Sequence, residues 1–435
     1  MIYRMKFKVF ITVGCWLIAY SFVNGQSISI DTCYQMAKDN YPKIRQFGLI
    51  EQSEKFSLSN ANRAYLPQFS LNAQATYQSD VTEIPADFLD RLGQMTNQSL
   101  AITSVNKDQY RVVAELSQIV WDGGVIHSQK DNIKASSEVE KQSLEADLYA
   151  VRERVNQLFF GILLLNEQMI QLDILQDELQ TNYDKVQAFI QNGIANQTDA
   201  DMIKVEQLKT KQRKTELLAA QMSYKRMLSA MTGNPIILTG KFQKPDYLMP
   251  YNDNTVNNRP ELKLFEAQTH LLVSQESLLK SSNLPKVGLF AQGGYGNPGL
   301  NMFEPGFMPF YIVGARLSWN FGGLYTQKNN LNKIALGKQQ VEIQKETFIF
   351  NVNLKILQQK TEIEKIKEQI NSDDEIVTLR TGIKKSVEKR LENGTSTVTD
   401  LVREMNAESA AIAEKSLHEI QLLMAIYNLK NSTNN

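Results

Sequence analysis

The chain has 435 residues, with 47 lysines and arginines against 47 aspartates and glutamates, and 42% of its residues are hydrophobic. So even a charge balance leaves no basic footprint for nucleic acid, and the length suggests two or three domains. Only two cysteines occur, Cys15 and Cys33.

The first residues set an address. Arg4, Lys6 and Lys8 precede an apolar run, Val9 to Val23, and Val23-Asn24-Gly25 offers small-enough residues before a cut at Gly25/Gln26. This is the layout of a signal peptide over residues 1–25, too short to anchor a chain across a bilayer. Lipid attachment at Cys15 is the minor alternative, because the apolar run continues past it as Trp16-Leu17-Ile18-Ala19. With Cys15 in the leader, Cys33 stands alone, and an exported chain without a disulfide depends on packing or assembly. No stretch of about 18 apolar residues follows, so no transmembrane helix is expected and any membrane span would be made of strands.

Ser29 to Ala64 has helical spacing, interrupted at Asn40-Tyr41-Pro42 and stopped by Leu66-Pro67. The period then changes. In Gln68 to Gln78 the residues Phe69, Leu71, Ala73, Ala75 and Tyr77 alternate with polar ones, a strand with one oily and one wet face. Asp80 to Lys107 is polar and reads as a long loop, and a second strand is expected at Tyr110 to Val120 before Trp121-Asp122-Gly123-Gly124. Val125 to Gln191 contains no proline and one glycine, Gly161, and from Leu144 to Leu172 its apolar residues follow a coiled-coil seam. As one helix it would be a rod of roughly 100 Å. Asn192-Gly193 ends it, and a further helix is expected over 197–231.

The same order then recurs. Asn40-Tyr41-Pro42 and Leu66-Pro67 match Asn258-Arg259-Pro260 and Leu284-Pro285 at one common offset, and Asn192-Gly193 and Thr198-Asp199 match Asn393-Gly394 and Thr399-Asp400 at a second, shorter one. The difference falls in the loop between paired strands, as duplication of one unit would produce. The expected layout is a first repeat over 26–232, a linker over 233–257, a second repeat over 258–430 and a tail over 431–435. The second repeat would hold strands 286–295 and 311–321, a long helix over 324–392 and a last helix over 399–429. Tyr77, Tyr110, Trp121, Trp319 and Phe321 lie near strand ends, as an aromatic girdle at a membrane interface requires.

Strands of about 10 residues are long enough to cross a bilayer when tilted, yet four of them cannot close a barrel, and open edges are not tolerated in lipid. Assembly of several copies is therefore expected; three would leave room for a lumen. Leu66-Pro67, Leu284-Pro285, Trp121-Asp122-Gly123-Gly124, Arg259-Pro260-Glu261-Leu262 and the two Asn-Gly-to-Thr-Asp turns together resemble the TolC-like outer-membrane efflux proteins over nearly the whole mature chain. The resemblance implies an α+β membrane protein in which a coiled-coil α-helical barrel in the periplasm continues into a transmembrane β-barrel formed by a homotrimer. It implies a channel-tunnel serving a drug efflux pump or type I secretion system, with a periplasmic adaptor, an inner-membrane pump and outer-membrane lipid as partners. The second strand-to-helix joint, Trp319 to Gly323, is shorter than the first and lacks its aspartate.

By that resemblance the turns form the tip where an adaptor docks: Asn192, Gly193, Ile194, Thr198 and Asp199 in the first copy, Asn393, Gly394, Thr399 and Asp400 in the second. The residues themselves also read as plain helix-hairpin turns, with Gly193 and Gly394 left-handed and Thr198 and Thr399, or the aspartates after them, capping the next helix. Asp184 and Lys385 occupy equivalent positions before the turns and would pair as a gate, or simply be solvated. His127, His270 and His418 have no ligand spacing, and Gly294 to Gly299 is a glycine-rich strand end with no helix after it. Asp373, Asp374 and Glu375 are expected on solvated faces. Neither a metal, a cofactor nor catalysis is expected. The competing class is a periplasmic coiled-coil adaptor or adhesion-like protein without a barrel.

Overall fold

The computed structural model describes residues 27–96, 105–193, 195–246, 257–304 and 306–434. The expected leader with Cys15, Ile194 of the first turn and 247–256 of the expected linker lie outside the described residues. The chain is mostly helical with one small antiparallel sheet, and it divides into two compact units. The first comprises Met1–Phe47, Gln142–Leu264 and Gln344–Asn435; the second comprises Gly48–Lys141 and Phe265–Ile343.

In chain order the helices are α1 (Ile30–Asn40), α2 (Gln46–Arg63), α3 (Ala86–Thr96), α4 (Val125–Gln191), α5 (Gln197–Thr232), α6 (Pro260–Ser282), α7 (Gly322–Glu392) and α8 (Val398–Thr433). Short 3-10 turns fill Pro42–Arg45 and Pro235–Leu238, each opened by a proline whose fixed φ suits a first turn. Ser29 caps α1 by accepting a hydrogen bond from Thr32 N at 3.3 Å.

The first unit is held by stacked apolar clusters. Ile30, Cys33, Val155, Phe159, Phe160, Ile162, Leu228 and Leu423 form one, in which Phe159 meets Phe160 edge-on at 5.7 Å and Phe160 meets Tyr427 at 5.3 Å. Gly161 is the one glycine of α4 because the Tyr224 ring of α5 occupies the space a Cβ would need. The seam is fully buried at Leu144, Leu148, Val155, Leu158 and Ile162; Leu165 to Leu172 are half-buried, and burial returns at Leu175, Leu179 and Val186. By length and composition α4 qualifies as a possible membrane crossing, with a stretch of mean hydropathy 1.4. That corrects the expectation that no such helix exists; its most apolar residues, Phe159, Phe160 and Ile162, are core instead. Arg259, opening α6, is bonded to its own Glu261 at 3.0 Å and lies over the rings of Tyr149 and Phe348 at 5.1 and 5.4 Å.

The second unit holds the sheet: β1 (Gln68–Tyr77), β2 (Asp108–Trp121), β3 (Lys286–Asn297) and β4 (Met308–Ser318), paired in that order and antiparallel throughout. Several boundaries differ from expectation. The fourth strand ends at Ser318, so Trp319 and Phe321 lie beyond it. The polar segment after β1 contains α3, because Phe88, Leu89, Leu92 and Met95 recur at helical spacing within a polar composition. The expected tail is not separate: α8 continues to Thr433, with Tyr427 and Leu429 buried. Part of the expected linker is anchored, since Ile28 and Phe242 form a parallel bridge.

Along α7, Leu336, Ile343, Phe350 and Leu357 recur every seventh residue and are each about 60% exposed, a coiled-coil stripe.

Candidate functional site

The sheet separates its residues by face. Register places Phe69, Leu116, Ala291 and Val313 in one row and Leu71, Ala114, Gly293 and Tyr311 in the next. This face is apolar and open: Phe69 is 71% exposed, Leu71 65% and Tyr311 80%. The opposite face carries Gln74, Arg111, Glu115, Gln292 and Arg316. There Glu115 accepts hydrogen bonds from Gln292 at 2.7 Å and from Arg316 at 3.2 Å. The Phe310 ring lies on Gly294 and the Phe290 ring on Gly314, filling the space left where side chains are missing. β1 and β4 are the two edges, and among the described residues neither has a strand on its outer side.

Aromatic residues mark both ends of the strands. At the loop end Tyr110 and Tyr295 both stack on Phe307, at 6.2 and 5.5 Å, and Tyr77 is 76% exposed. At the helix end Trp319 stacks against Phe321 at 4.5 Å, its indole donates to Asn283 O at 3.0 Å, and Trp121 pairs in register with Val287. Sequence reasoning missed Tyr295 and Phe307; the first lies in the glycine-rich strand end and the second between Pro305 and β4.

The two strand-to-helix joints use one device. Asp122 accepts from Gly124 N at 2.9 Å and Ile126 N at 2.6 Å, tying off the start of α4, while Gly123 and Gly124 take φ of +70° and +84°. In the second joint, which lacks that aspartate, Asn320 accepts from Gly322 N at 2.9 Å.

In the first unit both hairpin turns are built alike. Gly193 and Gly394 take φ of +73° and +68°, left-handed conformations open to glycine at little cost. The caps differ from expectation: Asn196 and Thr397, not Thr198 and Thr399, are the N-cap residues. Asn196 accepts from Asp199 N at 3.2 Å while Asp199 accepts from Asn196 N at 3.1 Å; Thr397 and Asp400 repeat the exchange at 3.1 and 3.2 Å. Hydrogen bonds from the Thr397 side chain and backbone hold the Asp400 carboxyl below its ordinary value. The Thr399 hydroxyl meets Met202 Sδ at 3.4 Å, and Asn192 Nδ2 donates back to Ala188 O at 2.8 Å.

The expected pair of Asp184 and Lys385 is not joined within the protomer: Asp184 accepts from Gln180 at 2.9 Å. The cation that is engaged is the adjacent Lys384. Its Nζ lies 2.9 Å from Glu178 of α4 and is paired also with Glu408 of α8, with both Lys384 and Glu408 side chains nearly buried. Burial pulls the Lys384 ammonium down, but the hydrogen bonds it donates to Glu408 and Glu178 outweigh this and leave the lysine above its ordinary value. Lys384 falls three residues before buried Val387, so a lysine on the packed face was the available signal. Farther along the same helix pair, Arg380 reaches Glu404 at 3.3 Å and Asp373 reaches His418 at 2.6 Å. Asp373 is thus buried rather than solvated, because the antiparallel register of α7 and α8 sets it against the imidazole.

No family model matches the chain, and neither does any curated protein. Solved structures do. The outer-membrane channel OprN is 12% identical, with a TM-score of 0.66 over 93% of this chain and 89% of that one. The Campylobacter jejuni CmeC outer membrane channel is 13% identical, with a TM-score of 0.62 over 93% and 85%. The Vibrio cholerae outer membrane protein VceC is 12% identical, with a TM-score of 0.63 over 92% and 94%. At such identities it is the fold that is shared. The fold of this chain is that of the TolC-like outer-membrane channels.

Proposed function

We propose that the protein is a passive exit channel of the outer membrane, assembled from three copies, that carries solutes from periplasm to exterior for an efflux pump or a type I secretion system. The observation that carries this reading is the sheet: an outward apolar face, a polar opposite face, aromatic residues at both ends and two unpaired edges. A soluble protein would leave a large apolar area in water, which costs about 25 cal/mol per Å². Embedded as a third of a closed barrel, the same face meets lipid and the edges pair with neighbouring copies.

On this reading the chain is a duplication, with repeats over 26–232 and 258–430, and the seven-residue stripe on α7 is covered by a helix of the next copy. The turns around Asn192, Gly193, Thr198, Asp199, Asn393, Gly394, Thr399 and Asp400 are the periplasmic tip and take an adaptor that links to an inner-membrane pump. Asp184 and Lys385 act across the boundary between copies as a gate. Tyr77, Tyr110, Trp121, Trp319 and Phe321 sit at the two lipid interfaces. The likeness to OprN, CmeC and VceC, each an outer-membrane protein, supports the location.

The test is membrane fractionation followed by gels run without boiling. A heat-sensitive oligomer in the outer membrane is expected; a soluble periplasmic monomer would sink the proposal.

A further inference from the structure

We infer that the polar face of the sheet is an anion-favouring wall, on which Arg111, Lys286 and Arg316 set the preference of the channel for small anionic solutes and Glu115 limits it. This rests on the reading that the polar face lines the bore. Register puts all four residues on that face: Arg111 opposite Gly296, Glu115 opposite Gln292, Arg316 opposite Gly288, and Lys286 opposite Ser318. Each chain therefore offers three cations against one carboxylate. That carboxylate is already committed to Gln292 and Arg316. Among the described residues no carboxylate pairs with Arg111 or Lys286, so their charge is uncompensated.

Two of the cations are also fixed in place. The Arg316 guanidinium lies 4.6 Å from the Phe290 ring centroid and Arg111 lies 5.8 Å from that of Phe310. The rings in turn rest on Gly314 and Gly294, so each arginine is backed by an aromatic plate on bare backbone. A guanidinium resting on a ring keeps its full charge while losing much of its freedom to swing, which makes it a stationary feature of the wall. Like charges along a bore with low-dielectric walls concentrate the opposite ion. The loops beyond the strands are acidic, with Asp80, Glu83, Asp87, Asp90 and Glu304 against Arg91 and Lys107. Selectivity of the whole channel mixes mouth and wall, and substitution isolates the wall.

The experiment is the reversal potential of the purified full-length protein in planar bilayers under a KCl gradient. Wild type is compared with the triple variant Arg111→Gln, Lys286→Gln, Arg316→Gln and with Glu115→Gln alone. The triple variant is expected to lower the chloride-to-potassium permeability ratio at least about twofold, and Glu115→Gln to raise it. An unchanged ratio in both, or a lower ratio in Glu115→Gln, overturns the inference. Should the triple variant fail to assemble, the near-isosteric Glu115→Gln decides by the direction of its shift. Each protein is also measured with the proposed gate broken by Asp184→Lys, and no conductance in that background refutes the channel reading itself, a result distinct from conductance with an unaltered ratio.

Discussion

The two units solve the burial problem in opposite ways. In the helical unit Phe159, Phe160, Leu179 and Leu422 are essentially inaccessible within one chain. In the sheet unit Phe69, Tyr77, Tyr311 and Val313 are each more than 70% exposed. Composition does not separate the two; the arrangement does. One unit brings its own partner surfaces, and the other, on the proposed function, presents a surface finished by lipid and by further copies. Stability in the first should therefore be a property of the chain, and in the second a property of the assembly.

The largest effect should come from breaking the self-sufficient half. Phe159→Ala removes a fully buried ring from the main cluster and is expected to cost about 3–5 kcal/mol, read as a lowered thermal midpoint of the helical signal. Leu71→Arg tests the other half. Its place in the second row of the apolar face puts a charge against lipid, at about 2–4 kcal/mol near mid-bilayer. Loss of the heat-sensitive outer-membrane band with the helical midpoint unchanged is the expected result, and a normal band would mean the face does not meet lipid.

Lys384→Met comes next, with an expected cost of about 2–3 kcal/mol because Glu408 is left buried without its partner. Adding Glu408→Leu should restore most of the loss; a double variant as unstable as the single one would show that packing, not charge, is what Lys384 supplies. The raised lysine also fixes a sign: its contribution is complete below the ordinary value of 10.5 and is lost as pH rises through the higher folded value. The smallest effect is at the turns, where Asn196→Ala should cost about 1 kcal/mol of α5 stability. At the second turn the carboxyl of Asp400 lies below its ordinary 3.8, so its share of the cap is present above that pH and fades as pH falls through the lowered value. Proteolytic nicking at each turn, compared across acid pH, reads both; a second turn no more susceptible in acid would contradict the cap.

Periodicity made the large elements legible. Val125 to Gln191 is delimited by Gly123-Gly124 and Asn192-Gly193 with no breaker that matters between, and the strands show as clean alternation. The caps are legible too, since Asn196-Gln197-Thr198-Asp199 and Thr397-Val398-Thr399-Asp400 each place an aspartate three residues after a cap residue, with a threonine of similar capping chemistry directly before the aspartate as a decoy. What sequence could not give were pairings that depend on helix register. Asp373 and His418 are 45 residues apart, and Lys384 finds Glu178 on a helix from the other half of the chain. α3 was hidden for a different reason: four apolar residues at helical spacing are outvoted by the polar segment around them.

On the proposed function, the open outer edges of β1 and β4 bear on the life of the chain before assembly. A newly made copy displays two rows of free backbone donors and acceptors beside an oily surface, the combination that templates indiscriminate strand addition. Productive closure is a reaction of higher order in concentration, while capture by the wrong edge needs only one encounter. Yield should therefore depend on how quickly copies meet relative to how long each waits, and slow delivery to the membrane, with no change in the folded structure, should suffice to lose the protein.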